Sequence, residues 1–220
     1  MFPIGDDNSA RRSAPVVTIA LIVINVLVFL LELQRGDAFI QEWAFIPGRF
    51  SEHPSADGIT LLSAMFMHGG WLHLGGNMLY LWIFGNNIED YLGKVKFIIF
   101  YVISGLAAVV TYTIFDPHSE IPLIGASGAI AGVMGAYMVL YPSARVQTLI
   151  FLGFFIQTVR VPAKILLVFW FILQIISGLP GLVGPSQGGV AWFAHVGGFA
   201  FGWLYFKLSK KRPSINYWGA

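Results

Sequence analysis

Apolar residues gather into six runs along the chain, each close to the length of a membrane-spanning helix. Such a helix needs about 20 mostly apolar residues, with roughly 17 to 25 acceptable. The runs occupy residues 16–33, 71–87, 97–115, 127–141, 163–179 and 190–208. Breakers such as Gly36, Gly93, Pro142 and Pro180 separate them. The pattern predicts an all-α, polytopic membrane protein in which residues 1–220 form one domain, a bundle of six transmembrane helices.

A seventh apolar stretch, residues 148–156, is too short to span a bilayer. Arg160 and Pro162 follow it and prevent its extension as an apolar helix. We therefore expect a hairpin at the membrane interface in this place.

The orientation of the bundle follows from its 13 Lys and Arg residues. If the N-terminus is cytoplasmic, all of them except Arg35 and Arg49 lie on the inner side: in inner loops, at the inner ends of segments five and six, or in the tails, residues 1–14 and 209–220. Because positive residues favour the inner side, both termini are predicted to be cytoplasmic. Segments two, four and six then begin at the outer surface.

Composition supports a membrane location and limits the chemistry. Only 11 % of the residues are charged and 56 % are hydrophobic, whereas a soluble domain has about 25 % charged residues. A net charge of +2 is too small to indicate nucleic-acid binding. With no cysteine in the chain, a nucleophile must be an oxygen and thiolate metal sites are excluded.

Four polar residues lie near the outer beginnings of segments two, four and six, namely His73, Asn77, Ser127 and His195. At 1.5 Å per residue, all four are expected roughly 5 to 10 Å below the outer interface. Polar side chains at such depth are expensive and usually functional. Residues that are distant in the sequence are therefore predicted to converge in one layer.

Ser127 and His195 have the residue types of a nucleophile and its base. A serine hydroxyl attacks a carbonyl once a base takes its proton, and an imidazole is the usual base near neutral pH. Small residues on both segments, including Gly128 and Gly198, allow the helices to approach closely. The outer halves of the three segments contain no Asp or Glu, so we expect a dyad and not a triad.

Acyl transfer also requires donors for the oxyanion of the tetrahedral intermediate. His73 and Asn77 are four residues apart and share one helix face. Ser127 opens its helix, so its backbone N–H is a third candidate donor. His68 lies nearby and is assigned a supporting role. A metal site at His68 and His73 is disfavoured, because they are five residues apart and no carboxylate or HExxH pattern accompanies them. We expect no cofactor.

The motifs resemble those of the rhomboid intramembrane serine proteases over nearly the whole chain. The shared residues are, in chain order, His68, His73 and Asn77, then Gly125-Ala126-Ser127-Gly128, then Ala194, His195, Gly198 and Gly202. The stretch 85–93 also resembles the family's connection between helices two and three.

The resemblance implies a six-helix rhomboid bundle in which Ser127 is the nucleophile and His195 is the base and then the acid. It implies that His73, Asn77 and the Ser127 amide bind the oxyanion. Its substrates would be single-span transmembrane proteins, cut near the outer face, and its location the lipid bilayer of a prokaryotic plasma membrane. Helix five is the expected gate for substrate.

Two departures from the family pattern accompany this resemblance. Trp43 and Arg49 are apart, whereas many members have a Trp-Arg dipeptide in the first outer loop. Position 131 is Ala, whereas some members place there an aromatic residue that packs on the catalytic histidine.

Two other functions were weighed. A non-enzymatic membrane binder or chaperone with the same fold is opposed by the intact Ser127 and His195. A transporter or channel is opposed by the lack of matching broken helices and of an acidic ring.

Overall fold

Helices form over all six apolar runs. The computed structural model describes residues 1–8, 11–152, 155–182 and 190–209. Its helices are α1 (Val16–Arg35), α2 (Asp37–Trp43), α3 (Pro47–Glu52), α4 (Pro54–Asp57), α5 (Thr60–Ser63), α6 (Trp71–Tyr80), α7 (Asn86–Leu92), α8 (Lys94–Phe115), α9 (Ser127–Leu140), α10 (Ala163–Gly178) and α11 (Trp192–Leu208). A π-helical turn, Leu81–Gly85, joins α6 to α7.

Three helices of the described chain are long and apolar enough to cross a membrane: Val16–Arg35, Lys94–Phe115 and Ala163–Gly181. The second apolar run forms one continuous rod that consists of α6, the π-helical turn and α7. This rod ends at Leu92, whereas the sequence predicts an end at residue 87. Helix α9 has only 14 residues, in keeping with the shortness of the fourth run. The last helix begins at Trp192, two residues later than predicted.

A three-stranded antiparallel sheet makes the all-α prediction wrong in part. Strands β1 (Phe2–Gly5), β2 (Arg145–Leu152) and β3 (Phe155–Pro162) pair in the order β1-β2-β3. The hairpin predicted around residues 148–156 is confirmed, with Arg145 opposite Pro162. Its Val, Ile and Thr residues favour strands. Within the predicted cytoplasmic tail 1–14, residues 2–5 form β1, which pairs with β2. Of the other predicted tail, 209–220, all but Ser209 lies outside the described residues.

Helices α9 and α11 pack backbone to backbone at the centre of the bundle. A Cβ added at Gly198 would overlap the carbonyl oxygen of Gly128, and one at Gly202 would overlap that of Gly132. Because only glycine fits at these crossings, the small-residue faces set the distance between α9 and α11. The N-terminal ends of these two helices carry Ser127 and His195, so this contact determines how far apart those side chains lie.

A buried carboxylate caps the N-terminal end of α1. Glu89, on α7, is 1 % exposed. Its oxygens accept hydrogen bonds from the Val17 N–H at 2.9 Å, the Thr18 N–H at 2.7 Å and the Thr18 hydroxyl at 2.8 Å. Free N–H groups at a helix start are satisfied in this way by acidic side chains. The contact ties α1 to the rod that begins with α6.

The loop between α1 and α6 holds the segment that leads into α9. Phe45 and Leu123 form an isolated antiparallel bridge, and the Gly125 N–H donates to the Ala64 carbonyl at 2.9 Å. Arg49, which the sequence separates from Trp43, donates to the Ala44 carbonyl at 2.8 Å and pairs with Asp57 at 3.0 Å. This loop therefore fixes the backbone just before Ser127.

Candidate active site

The side chains of Ser127 and His195 lie within hydrogen-bond distance. Ser127 is the first residue of α9, and His195 lies in the first turn of α11. The distance between Ser127 Oγ and His195 Nε2 is 2.7 Å. The predicted convergence of the two helix ends is thus observed. The arrangement can move the hydroxyl proton of Ser127 to the imidazole in one step.

His73 and Asn77 line the same cavity as this pair, a space of about 600 Å³. The Asn77 amide nitrogen is buried and donates to no residue that the structure describes. His73 Nδ1 accepts a hydrogen bond from the Gly69 N–H at 3.3 Å, which leaves the ring proton on Nε2. The cavity therefore contains the ring N–H of His73 and an Asn77 amide donor that has no acceptor among the described residues, beside a nucleophile-type hydroxyl.

Gly125 lies close to both the ring of His73 and the hydroxyl of Ser127. Its φ of +128° lies in the region that favours glycine. A Cβ built at Gly125 would lie 2.9 Å from both His73 Cε1 and His73 Nε2, and 3.5 Å from Ser127 Oγ. A side chain at this position would therefore crowd the His73 ring.

His68 lies behind His73 and not in the cavity lining. It is 1 % exposed, and its ring centroid is 5.1 Å from that of His73 in an edge contact. Its backbone N–H donates to the carboxylate of Glu32 on α1, at 3.1 and 3.2 Å. Sequence reasoning missed Glu32. Within the described residues no group of three His, Asp or Glu side chains is arranged to hold a metal ion.

Sequence reasoning also missed Gln174 and Trp170, both on α10. Gln174 Oε1 is 2.8 Å from His195 Nδ1, and the Trp170 ring centroid lies 6.0 Å from that of His195. Ala131 is fully buried in α9, and the aromatic neighbours of His195 are Trp170 and Trp192. The available signal for Gln174 was a lone amide inside an apolar run, which by itself indicates a polar partner.

Comparison with known proteins identifies the family. The family model described as the Rhomboid domain matches residues 55–212. "Rhomboid protein 1, mitochondrial" of Saccharomyces cerevisiae is 31 % identical over 137 residues, which is 60 % of this chain and 38 % of that protein. "Rhomboid protease GluP" of Bacillus subtilis is 31 % identical over 137 residues, 61 % of this chain and 26 % of that protein.

"Inactive rhomboid protein 1" of Drosophila melanogaster also matches, at 34 % identity over 80 residues, 36 % of this chain and 6 % of that protein. This chain therefore spans less than half the length of these relatives. The family match covers more than half of the chain and includes His73, Ser127 and His195. The chain belongs to the rhomboid family and is an integral membrane protein.

Proposed function

We propose that this chain is an intramembrane serine endopeptidase that cleaves single-span transmembrane proteins near the outer membrane face. The observation that carries the proposal is the 2.7 Å contact between Ser127 Oγ and His195 Nε2. Further support is the protease activity named for the Bacillus relative. A binder without activity has no need for a hydroxyl held against an imidazole inside a cavity.

In this mechanism Ser127 Oγ attacks the carbonyl carbon of the scissile peptide bond while its proton moves to His195 Nε2. The oxyanion accepts hydrogen bonds from Asn77 Nδ2, His73 Nε2–H and the Ser127 N–H. Each such donor is typically worth about 2.7 to 4 kcal/mol in the transition state. His195 then gives its proton to the leaving amine, and the C–N bond breaks to leave an acyl-enzyme.

Water completes the reaction. His195, neutral again, takes a proton from a water molecule whose oxygen attacks the acyl carbon. The tetrahedral intermediate collapses, the C–O bond to Ser127 breaks, and the proton returns to Oγ. Helix α9 supports this step: 14 residues span only about 21 Å, less than the roughly 30 Å of hydrocarbon. Its outer end therefore lies below the surface, in a hollow open to the outer solution.

The proposal includes six spans with both termini in the cytoplasm, which the distribution of Lys and Arg supports. It also includes a prokaryotic plasma membrane as the location, in a family whose relatives come from mitochondria as well as bacteria. The substrate would enter sideways between α6 and α10, because residues of both helices line the cavity.

The test is cleavage of a model single-span substrate by purified wild type, Ser127→Ala and His195→Ala. Both variants should reduce cleavage to background, a loss of at least about 10³-fold. Ser104→Ala and His53→Ala are matched controls, because Ser104 is buried in α8 and His53 is exposed in the outer loop. Cleavage that persists in Ser127→Ala would refute the proposal and favour a non-enzymatic role, as the name of the fly relative implies for that protein.

A further inference from the structure

His195 has a second polar contact on the side of its ring opposite to Ser127. The partner is Gln174, whose side chain is 6 % exposed in the apolar helix α10. Its Oε1 lies 2.8 Å from His195 Nδ1. Both ring nitrogens are thus engaged, one by a side chain of α9 and the other by a side chain of α10.

The direction of the hydrogen bonds follows from the chemistry of each group. For Ser127 to lose its proton to His195, Nε2 must be the acceptor, and a neutral imidazole then carries its proton on Nδ1. The Nδ1–H therefore donates to Gln174 Oε1.

The amide of Gln174 is itself held in the required orientation. Its nitrogen donates to the carbonyl of Trp170, one turn earlier in the helix, at 3.4 Å. With the nitrogen turned toward the backbone of α10, the oxygen is the atom that faces His195. A rotated amide would instead present a donor to Nδ1 and would favour the wrong tautomer.

We propose that Gln174 is a positioning residue that holds His195 in the Nδ1–H tautomer and stabilises the imidazolium formed when Ser127 attacks. The inference rests on the proposed function and deepens it, since it adds a third member to a pair that the sequence predicts to act alone. A neutral amide oxygen supplies the acceptor without a charge, and an isolated charge inside a membrane protein is expensive. In soluble serine proteases a carboxylate occupies the equivalent position.

The location of Gln174 links the chemistry to α10. This helix packs on α11 through a stack of Phe171 on Phe199, with ring centroids 4.6 Å apart. His195 therefore has its acceptor only while α10 lies against α11. If α10 moves to admit substrate, it must return before Ser127 can be activated.

The experiment compares Gln174→Leu and Gln174→Glu with wild type, measuring kcat and KM on a model single-span substrate together with thermal stability. Leucine removes the acceptor at similar size, whereas glutamate keeps an oxygen acceptor. Leu167→Ala is the control for loosened packing, because Leu167 is 1 % exposed on α10 and lies two turns nearer the inner end. Wild type and Ser127→Ala establish in the same assay whether the proposed function itself holds.

We expect Gln174→Leu to lower kcat at least about tenfold with KM changed less than about threefold, because the ground-state contacts of the substrate remain. Gln174→Glu should recover kcat to within about threefold of wild type. Leu167→Ala should lower the thermal stability with kcat within about twofold of wild type. The inference is overturned if Gln174→Leu keeps the wild-type kcat, including the case in which only KM changes. It is also overturned if Gln174→Glu loses as much activity as Gln174→Leu. Any of these results with an active wild type and an inactive Ser127→Ala leaves the proposed function intact.

Discussion

At Gly125 the loop before α9 has no room for a side chain. Its backbone N–H is held by the Ala64 carbonyl at 2.9 Å, so the loop cannot shift freely. An added Cβ at Gly125 would lie 2.9 Å from the His73 ring and 3.5 Å from Ser127 Oγ. A methyl group here would push His73 away from the oxyanion position.

We expect Gly125→Ala to lower kcat for a single-span substrate about 10²-fold, because a displacement of about 1 Å in a positioned group has an effect of this size. The variant also adopts an unfavourable φ of +128°, so it should lose thermal stability as well. Both quantities can be measured on one detergent-purified sample.

Gly36→Ala separates the two effects. Gly36 has a φ of +72° with open space around its Cβ position, and it is not among the residues that line the cavity. It should show the loss of stability while kcat stays at the wild-type value. An equal fall of kcat in both variants, or an unchanged kcat in Gly125→Ala, would contradict the steric role of Gly125.

A contact between two residues was predictable from the sequence where it depended only on the depth of each residue in the membrane. Ser127 begins one apolar run and His195 lies near the start of another, so equal depth and small-residue packing were enough to predict their proximity. Gln174 was not predictable in this way. It lies well inside its run, and whether its amide meets His195 depends on the rotation of α10 about its own axis, which the packing of Phe171 on Phe199 determines.

At the scale of elements, the helices were predictable and the sheet only in part. The hairpin of β2 and β3 is a local structure, and its strand-forming residues and flanking breakers are visible in the sequence. Strand β1 is not local. Its four residues include Pro3 and Gly5, which disfavour strands, and its partner β2 is about 140 residues away in the sequence. Only the folded bundle brings them together.

The segment after β1 is anchored by the carboxyl group of Asp6. It accepts hydrogen bonds from the Tyr137 hydroxyl at 2.9 Å, from Asn87 Nδ2 at 2.8 Å and from Asn8 Nδ2 at 2.9 Å. Burial raises the pKa of Asp6 from its ordinary value of 3.8 to about 6, against these hydrogen bonds and with a smaller contribution from the charge of Asp7. The folded protein therefore binds a proton at Asp6 more tightly than the unfolded chain does.

Because of this shift, the contribution of Asp6 to the free energy of unfolding decreases as the pH rises. Below pH 3.8 the Asp6 carboxyl is protonated in both the folded and the unfolded protein. Between pH 3.8 and about 6 only the folded protein keeps the proton. The stabilisation from this group is therefore lost as the pH rises through that window. Asp6→Asn mimics the protonated form. At about pH 7.5 it should melt roughly 2 to 4 °C above wild type, and this advantage should disappear near pH 4.

Thermal unfolding of wild type and Asp6→Asn across this pH range checks the expectation. Asp37→Asn is the control, because Asp37 is exposed at the start of α2. It should follow the wild-type curve at each pH. If Asp6→Asn melts below wild type at neutral pH, the carboxylate itself stabilises the fold and the assignment of a shifted pKa is wrong.

For the whole molecule, the contacts of α10 are uneven. Its aromatic residues stack on α11, while the large cavity lies between it and α6. Tyr80 of α6 and Leu173 of α10 also line a second cavity of about 40 Å³, together with Met1 and Pro3. The boundary between α6 and α10 is therefore incompletely packed at two depths, which makes it the side of the bundle that can open with the least loss of contacts.

The absence of cysteine allows a direct test of this lateral entry. In the double variant Tyr80→Cys and Leu173→Cys, a short bis-methanethiosulfonate reagent should link α6 to α10, since both positions line one small cavity. Linking should lower cleavage of a single-span substrate at least about tenfold, because a closed gate excludes a helix. Labelling of Ser127 by a small fluorophosphonate should persist, because that probe can enter from the outer solution, and reduction of the link should restore cleavage.

Each single-cysteine variant, treated in the same way, controls for modification alone. A linked protein that cleaves at the wild-type rate would exclude entry between α6 and α10, because the link holds these helices together throughout the reaction.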